Sequence, residues 1–135
     1  MIKLKSLLSE GRMPKKFFHT TKLENLPSIM SRGLRPLPDG KEWVYLTDEE
    51  FTATNYGNMF ERGTKVVMLE IDPRYLDESK LGPDDDDLSD ILRQDRSNKR
   101  WTDLSWQESI RKCSQVTYVG IIPPKAIKPV EEWMV

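Results

Sequence analysis

Four short runs rich in β-branched and aromatic residues constrain this chain most: Phe17–Thr20, Trp43–Thr47, Thr64–Ile71 and Gln115–Ile122. Each is four to eight residues long, which suits a strand and is too short for an ordinary helix. Helix and turn signals separate them at irregular intervals that do not repeat as βαβ units. That pattern calls for an α+β domain with a mostly antiparallel sheet and short flanking helices. With 135 residues the expectation is one domain, burying about 65–70% of its unfolded surface without metal or disulfide staples. The apolar runs are far shorter than the ~20 residues a membrane helix needs, so a membrane partner is not expected. One cysteine, Cys113, has no internal disulfide partner. One histidine, His19, leaves no Cys/His set for a structural zinc, and no metal is expected.

The helix signals sit between the runs. Thr21-Lys22-Leu23-Glu24 matches a capping box, Leu23, Leu26, Ile29 and Met30 fall on one helical face, and Gly33 supplies a left-handed stop. Pro27 conflicts with the box, because inside the helix it would crowd the carbonyl of Leu23, and it moves the helix start downstream. Residues 33–40 read as a loop. Thr47 or Asp48 caps a helix running to Gly57, with Glu49 and Glu50 at its positive end. Val66-Val67-Met68-Leu69 reads as a buried central strand that Asp72-Pro73 ends. Residues 77–100, with four successive aspartates at 84–87, read as a solvated loop holding at most a short helix from Leu88 to Arg93. They lack the ligand spacing of a calcium loop. Trp106–Lys112 reads as a helix, and Pro123-Pro124 stops the last strand.

Charge is segregated behind a net value of −1. Residues 1–37 carry eight bases and two acids, 38–95 six and sixteen, and 96–135 seven and four. No chain-wide basic footprint for nucleic acid results, although the two terminal thirds are positive. Phosphate-binding glycine loops and dinucleotide fingerprints are absent. A Cys113–His19 catalytic pair would join different elements, and Cys113, between a helix and a strand, reads as a small buried hydrophobe.

The ordered set His19-Thr20-Thr21, Gly33-Leu34-Arg35-Pro36, Val44-Tyr45-Leu46-Thr47 and Tyr56-Gly57, with the tail Tyr118-Val119-Gly120-Ile121-Ile122-Pro123-Pro124-Lys125-Ala126-Ile127, resembles the ADP-ribosyltransferase family. The likeness is to its His–Tyr–Glu branch and its small bacterial and phage members, and it covers nearly all the chain after residue 16. It implies split antiparallel sheets and NAD as a substrate. His19 would bond a ribose hydroxyl, the Thr20 main chain would meet the carboxamide, and Tyr45 and Tyr56 would stack on nicotinamide, with Arg35 grouped among the NAD-binding residues. The position of the family's catalytic glutamate falls on Gln115, and Glu108 is the alternative carboxylate. The implied activity is mono-ADP-ribosyl transfer to a macromolecular acceptor, protein or nucleic acid, with release of nicotinamide. The alternative is a weakly active or inactive binding protein. RNA 2′-phosphotransferases rank lower on this reading, because Lys16 and Arg35 alone do not supply the basic set that chemistry needs.

The first ten residues read as an amphipathic helix ended by Gly11. "MIKLKSLLSEG" resembles leaders of internal head proteins of tailed phages, with Leu8-Ser9-Glu10 as a processing site. The expected organisation is therefore a leader or docking helix at 1–11 and one domain at 12–135. The expected location is the cytoplasm of a bacterial host or the interior of a phage head, from which a packaged protein would be delivered to act on a host target.

Overall fold

The computed structural model describes residues 13–36 and 42–135; the leader and its processing site lie outside them. Six strands form one sheet: β1 (Phe17–Lys22), β2 (Val44–Thr47), β3 (Lys65–Ile71), β4 (Leu81–Pro83), β5 (Gln115–Tyr118) and β6 (Ile127–Met134). Their order is β4-β5-β2-β1-β3-β6, with every pairing antiparallel. Among the described residues four α-helices accompany them: α1 (Leu26–Arg32), α2 (Glu50–Gly57), α3 (Asp86–Gln94) and α4 (Trp106–Cys113). The architecture is α+β, as the interspersed signals require.

The strongest apolar run lies where its composition demands. Val66, Val67, Met68, Leu69 and Ile71 of β3 are all fully buried, with β1 on one side and β6 on the other. Of these, Val67, Leu69 and Ile71 join Phe17, Leu46, Val116 and Ile122 in the main core. A second, smaller cluster of Leu88, Leu92 and Leu104 holds α3 against the segment that precedes α4.

Several local expectations are corrected. β1 continues to Lys22, so the capping box at Thr21 does not form; a 3₁₀ turn spans Leu23–Asn25, and α1 begins at Leu26 with Pro27 in its first turn, where the missing N–H costs nothing. Gly33 ends α1 as expected, but at φ 92° and ψ 168°, outside the left-handed helical conformation, and a Cβ there would lie 2.5 Å from the carbonyl oxygen of Ile122. That contact lets Leu34 and Ile122 exchange main-chain hydrogen bonds of 2.9 and 2.8 Å.

Residues 77–100 are not a solvated loop. They contain β4 and α3, and Asp84 and Asp85 are buried. β5 ends at Tyr118, short of Ile122, and the chain beyond Pro123-Pro124 forms β6, which the sequence reading leaves out. Its Lys128, Glu131 and Glu132 are exposed and Pro129 lies within it, a composition that protects a sheet edge against further pairing.

Candidate functional site

Between β1 and β2 the ladder consists of one register pair, Phe18 with Thr47. β2 is fully laddered to β5 and β1 to β3, so the sheet is continuous but seamed at this one junction. The expected split into separate sheets is replaced by that seam. A half-open, shallow cleft lies along it, lined by residues of β1, β2, α2 and β5.

His19 closes the seam with a side chain instead of a backbone rung. Its Nδ1 lies 2.7 Å from the carbonyl oxygen of Tyr45. A carbonyl only accepts, so Nδ1 carries the proton, and in the neutral ring Nε2 is an acceptor. Burial holds the imidazole pKa below its ordinary value against the opposing pull of that carbonyl, which keeps the ring neutral at pH 7.

Thr20 anchors the next element. Its hydroxyl donates to the Ala53 carbonyl at 2.8 Å, tying β1 to α2. Gly57, one turn further along α2, sits so close that a Cβ would meet Thr20 Cγ2 at 2.8 Å and Trp133 Cζ2 at 2.5 Å. The packing sets Tyr56 at the cleft wall, half-exposed, with its ring edge-to-face on Phe60 at 6.4 Å between centroids.

Tyr45 reaches the cleft from β2. Its hydroxyl donates to Asp85 Oδ1 at 2.6 Å. Burial, and then the Asp85 bond, push its phenol up to about 12, so it remains a protonated donor. Ser114 caps α4 in the left-handed conformation (φ 60°) and turns the chain so that Gln115 opens β5 opposite Thr47. Phe18, Thr47 and Gln115 thus form one row across three strands. The Gln115 amide Nε2 donates to Asp87 Oδ2 at 2.6 Å, which turns the amide oxygen away from that carboxylate and leaves it as an acceptor.

The acidic tract is wired into this wall. Asp84 Oδ2 accepts from the Asp87 amide at 2.7 Å, and the Asp84 amide donates to Ser109 Oγ at 2.9 Å. Burial raises the Asp84 carboxyl to about 6. Burial also raises the pKa values of Asp87 and of Tyr56, the latter helped by Asp86 and Asp84. Among the described residues lining the cleft there is no Lys or Arg. The wall therefore suits a neutral or positively charged group better than a phosphate.

The structure brings His19, Thr20, Tyr45, Tyr56 and Gln115 together on one cleft. It places Glu108 elsewhere, in a capping box where its carboxylate accepts from the Ser105 amide and hydroxyl. Arg35 is exposed, with its guanidinium 3.4 Å from the Arg32 carbonyl, and Lys16 pairs with Glu70 at 2.9 Å; neither lines the cleft. Cys113 packs against the second core cluster, and burial pushes its thiol up to about 11, which leaves it unreactive. The sequence reading missed Asp85 and Asp87. Their signal was the run of four aspartates itself, whose partners Tyr45 and Gln115 lie 40 and 28 residues away in sequence. The described residues contain no group of three or more His, Cys, Asp or Glu able to hold a metal ion, and no helix long and apolar enough to cross a membrane.

No protein-family model matches the chain. A curated relative, the probable RNA 2′-phosphotransferase of Hyperthermus butylicus, is 41% identical over 69 residues. The match spans 51% of this chain and 28% of that protein. This finding corrects the resemblance to the ADP-ribosyltransferase family, since the named relative belongs to a different enzyme family, one the sequence reading had ranked lower.

Proposed function

We infer that this chain is an NAD-using transferase that takes the 2′-phosphate from an RNA. The reading draws its reaction class from the relative's name and its NAD site from the cleft. The observation that carries it is the His19–Tyr45 bond, which fixes a neutral imidazole acceptor beside two tyrosines and an oriented amide.

These residues fit the nicotinamide–ribose half of NAD. The rings of Tyr45 and Tyr56 offer flat apolar faces for nicotinamide, each stack worth about 1 kcal/mol. The Nε2 of His19 accepts from a ribose hydroxyl, and Thr20, which no register pair joins to β2, offers main-chain groups to the carboxamide. The amide oxygen of Gln115 accepts a second ribose hydroxyl.

NAD would supply, when bound, a ribosyl carbon whose bond to nicotinamide breaks as an oxygen of the RNA 2′-phosphate bonds to it, the leaving nicotinamide keeping the electron pair. The neighbouring ribose hydroxyl would then bond to that phosphorus as its bond to the RNA 2′-oxygen breaks, the RNA oxygen taking the hydroxyl proton and the phosphate leaving as a cyclic phosphate of ADP-ribose. The cleft assists by holding no cation against the positive charge that develops on the ribose, and by keeping Asp85 and Asp87 behind its wall. Gln115 carries no charge of its own, so part of that stabilisation comes from Asp87 through the amide.

Incubating the full chain with an RNA bearing one 2′-phosphate, with and without NAD, tests the reading. The expected result is loss of the RNA phosphate only when NAD is present, with one nicotinamide released per phosphate. Removal without NAD, or no removal at high protein concentration, overturns it. A second reading, NAD binding without turnover, is favoured by the neutral Gln115 and the cation-free wall. It predicts NAD binding with no nicotinamide released.

A further inference from the structure

A second, wider concavity lies between the end of α3 and the segment leading to α4. Arg93, Lys99 and Arg100 line it together with Ser97, Thr102 and Trp101, and no carboxylate lines it. This is the opposite of the cleft, where aromatic and neutral groups meet no cation.

The fold builds the groove deliberately. Arg96 takes a left-handed conformation (φ 55°), which reverses the chain after α3 and brings Lys99 and Arg100 back beside Arg93. The last carbonyls of α3 would otherwise repel an anion. They are occupied, however: Ile91 accepts from Asp95, Arg93 from Arg96 and Leu92 from Ser97. Arg93 does pair with Asp90 at 3.4 Å, but both side chains are largely exposed, and such pairs exchange readily for a stronger anion.

The groove touches the residue that precedes β2: Trp101 meets Trp43 edge-to-face with centroids 6.0 Å apart, and Trp43 precedes Tyr45 by two residues.

We propose that this groove seats the phosphate backbone of a single-stranded RNA, with Arg93, Lys99 and Arg100 each meeting a phosphate. The proposal rests on the reading of RNA as the substrate, and it supplies the cations that the cleft lacks. Cations on a hydroxyl-lined surface hold phosphates without reading bases, so binding is insensitive to sequence and sensitive to salt.

The test is fluorescence anisotropy of a short labelled single-stranded RNA lacking a 2′-phosphate, titrated with the full chain across a salt series. The comparison is with the triple variant Arg93→Ala, Lys99→Ala, Arg100→Ala and with a control carrying Lys125→Ala and Lys128→Ala. The native chain should bind. The triple variant should bind at least about tenfold more weakly, with its salt slope reduced by about 2, since each lost single-strand phosphate contact is worth about 0.7. The control should keep the native slope. Unchanged binding and slope in the triple variant overturn the proposal, as does a native chain that binds polyglutamate but not RNA. Nicotinamide release is measured separately, with saturating 2′-phosphorylated RNA. Its absence would sink the transferase reading and leave the groove's result intact.

Discussion

The Nδ1 of His19 lies 2.7 Å from the carbonyl oxygen of Tyr45, and this side-chain bond stands where a backbone rung between β1 and β2 would otherwise continue. It commits the ring to one tautomer and makes folding sensitive to acid. Burial lowers the native pKa below the ordinary 6.5, so between the two values the unfolded chain binds more protons than the native one. Stability contributed by His19 is therefore present above pH 6.5 and lost as pH falls below it. Urea unfolding at a series of pH values should show this loss in the native chain, and His19→Asn should lack that component.

Asp84 titrates with the opposite sign. Burial raises its native carboxyl to about 6 from an ordinary 3.8, so the native state holds the proton more tightly. Its contribution is full below pH 3.8 and is lost as pH rises through 6. Asp84→Asn retains an oxygen for the Asp87 amide and has no charge to desolvate. The variant should be flatter than the native chain across pH 4–6, and an unchanged profile would show that the carboxyl ionises freely.

Gly33 permits no side chain. Its φ of 92° with ψ 168° is a conformation essentially reserved for glycine that costs an L-residue about 1–3 kcal/mol, and overpacking against the Ile122 carbonyl adds about 1–3 kcal/mol. Gly33→Ala should lower stability by at least about 2 kcal/mol, read as a shifted urea midpoint with an unchanged slope.

The parts of this fold that were legible in the sequence are those whose cause is local. The buried run of β3 and the strand at Phe17 follow from composition, and Gly33 from the need to stop α1. The acidic tract was misread because four successive aspartates look like a solvated segment, whereas Tyr45, Ser109 and Gln115 receive them from distant elements. β6 was missed because Lys128, Pro129, Glu131 and Glu132 are edge chemistry, indistinguishable in isolation from a polar tail. The resemblance implied one site for His19, Tyr45, Tyr56 and Arg35 with Glu108 as an alternative carboxylate, and the structure gathers the first three on one cleft but not Arg35 or Glu108. Those two depend on a cap and a turn.

Gln115 is where charge can be added to the cleft. Gln115→Glu would place a second carboxylate beside Asp87, and the pair would share a proton at low pH, giving the rate an acidic limb. Above that limb, nicotinamide release should rise at least about tenfold, since one preorganised electrostatic partner is worth about 10²–10³ in rate. A fall in rate at every pH would show that the amide, held by Asp87, is the better acceptor.

The claim that the seam between β1 and β2 is the NAD site is tested most directly by calorimetric titration of NAD into the native chain, His19→Ala and Tyr56→Ala, each checked for native circular dichroism. The native chain should bind, with Tyr56→Ala weaker by about fivefold, the worth of one ring stack, and His19→Ala weaker by about tenfold. Folded variants that bind NAD as tightly as the native chain would contradict the account.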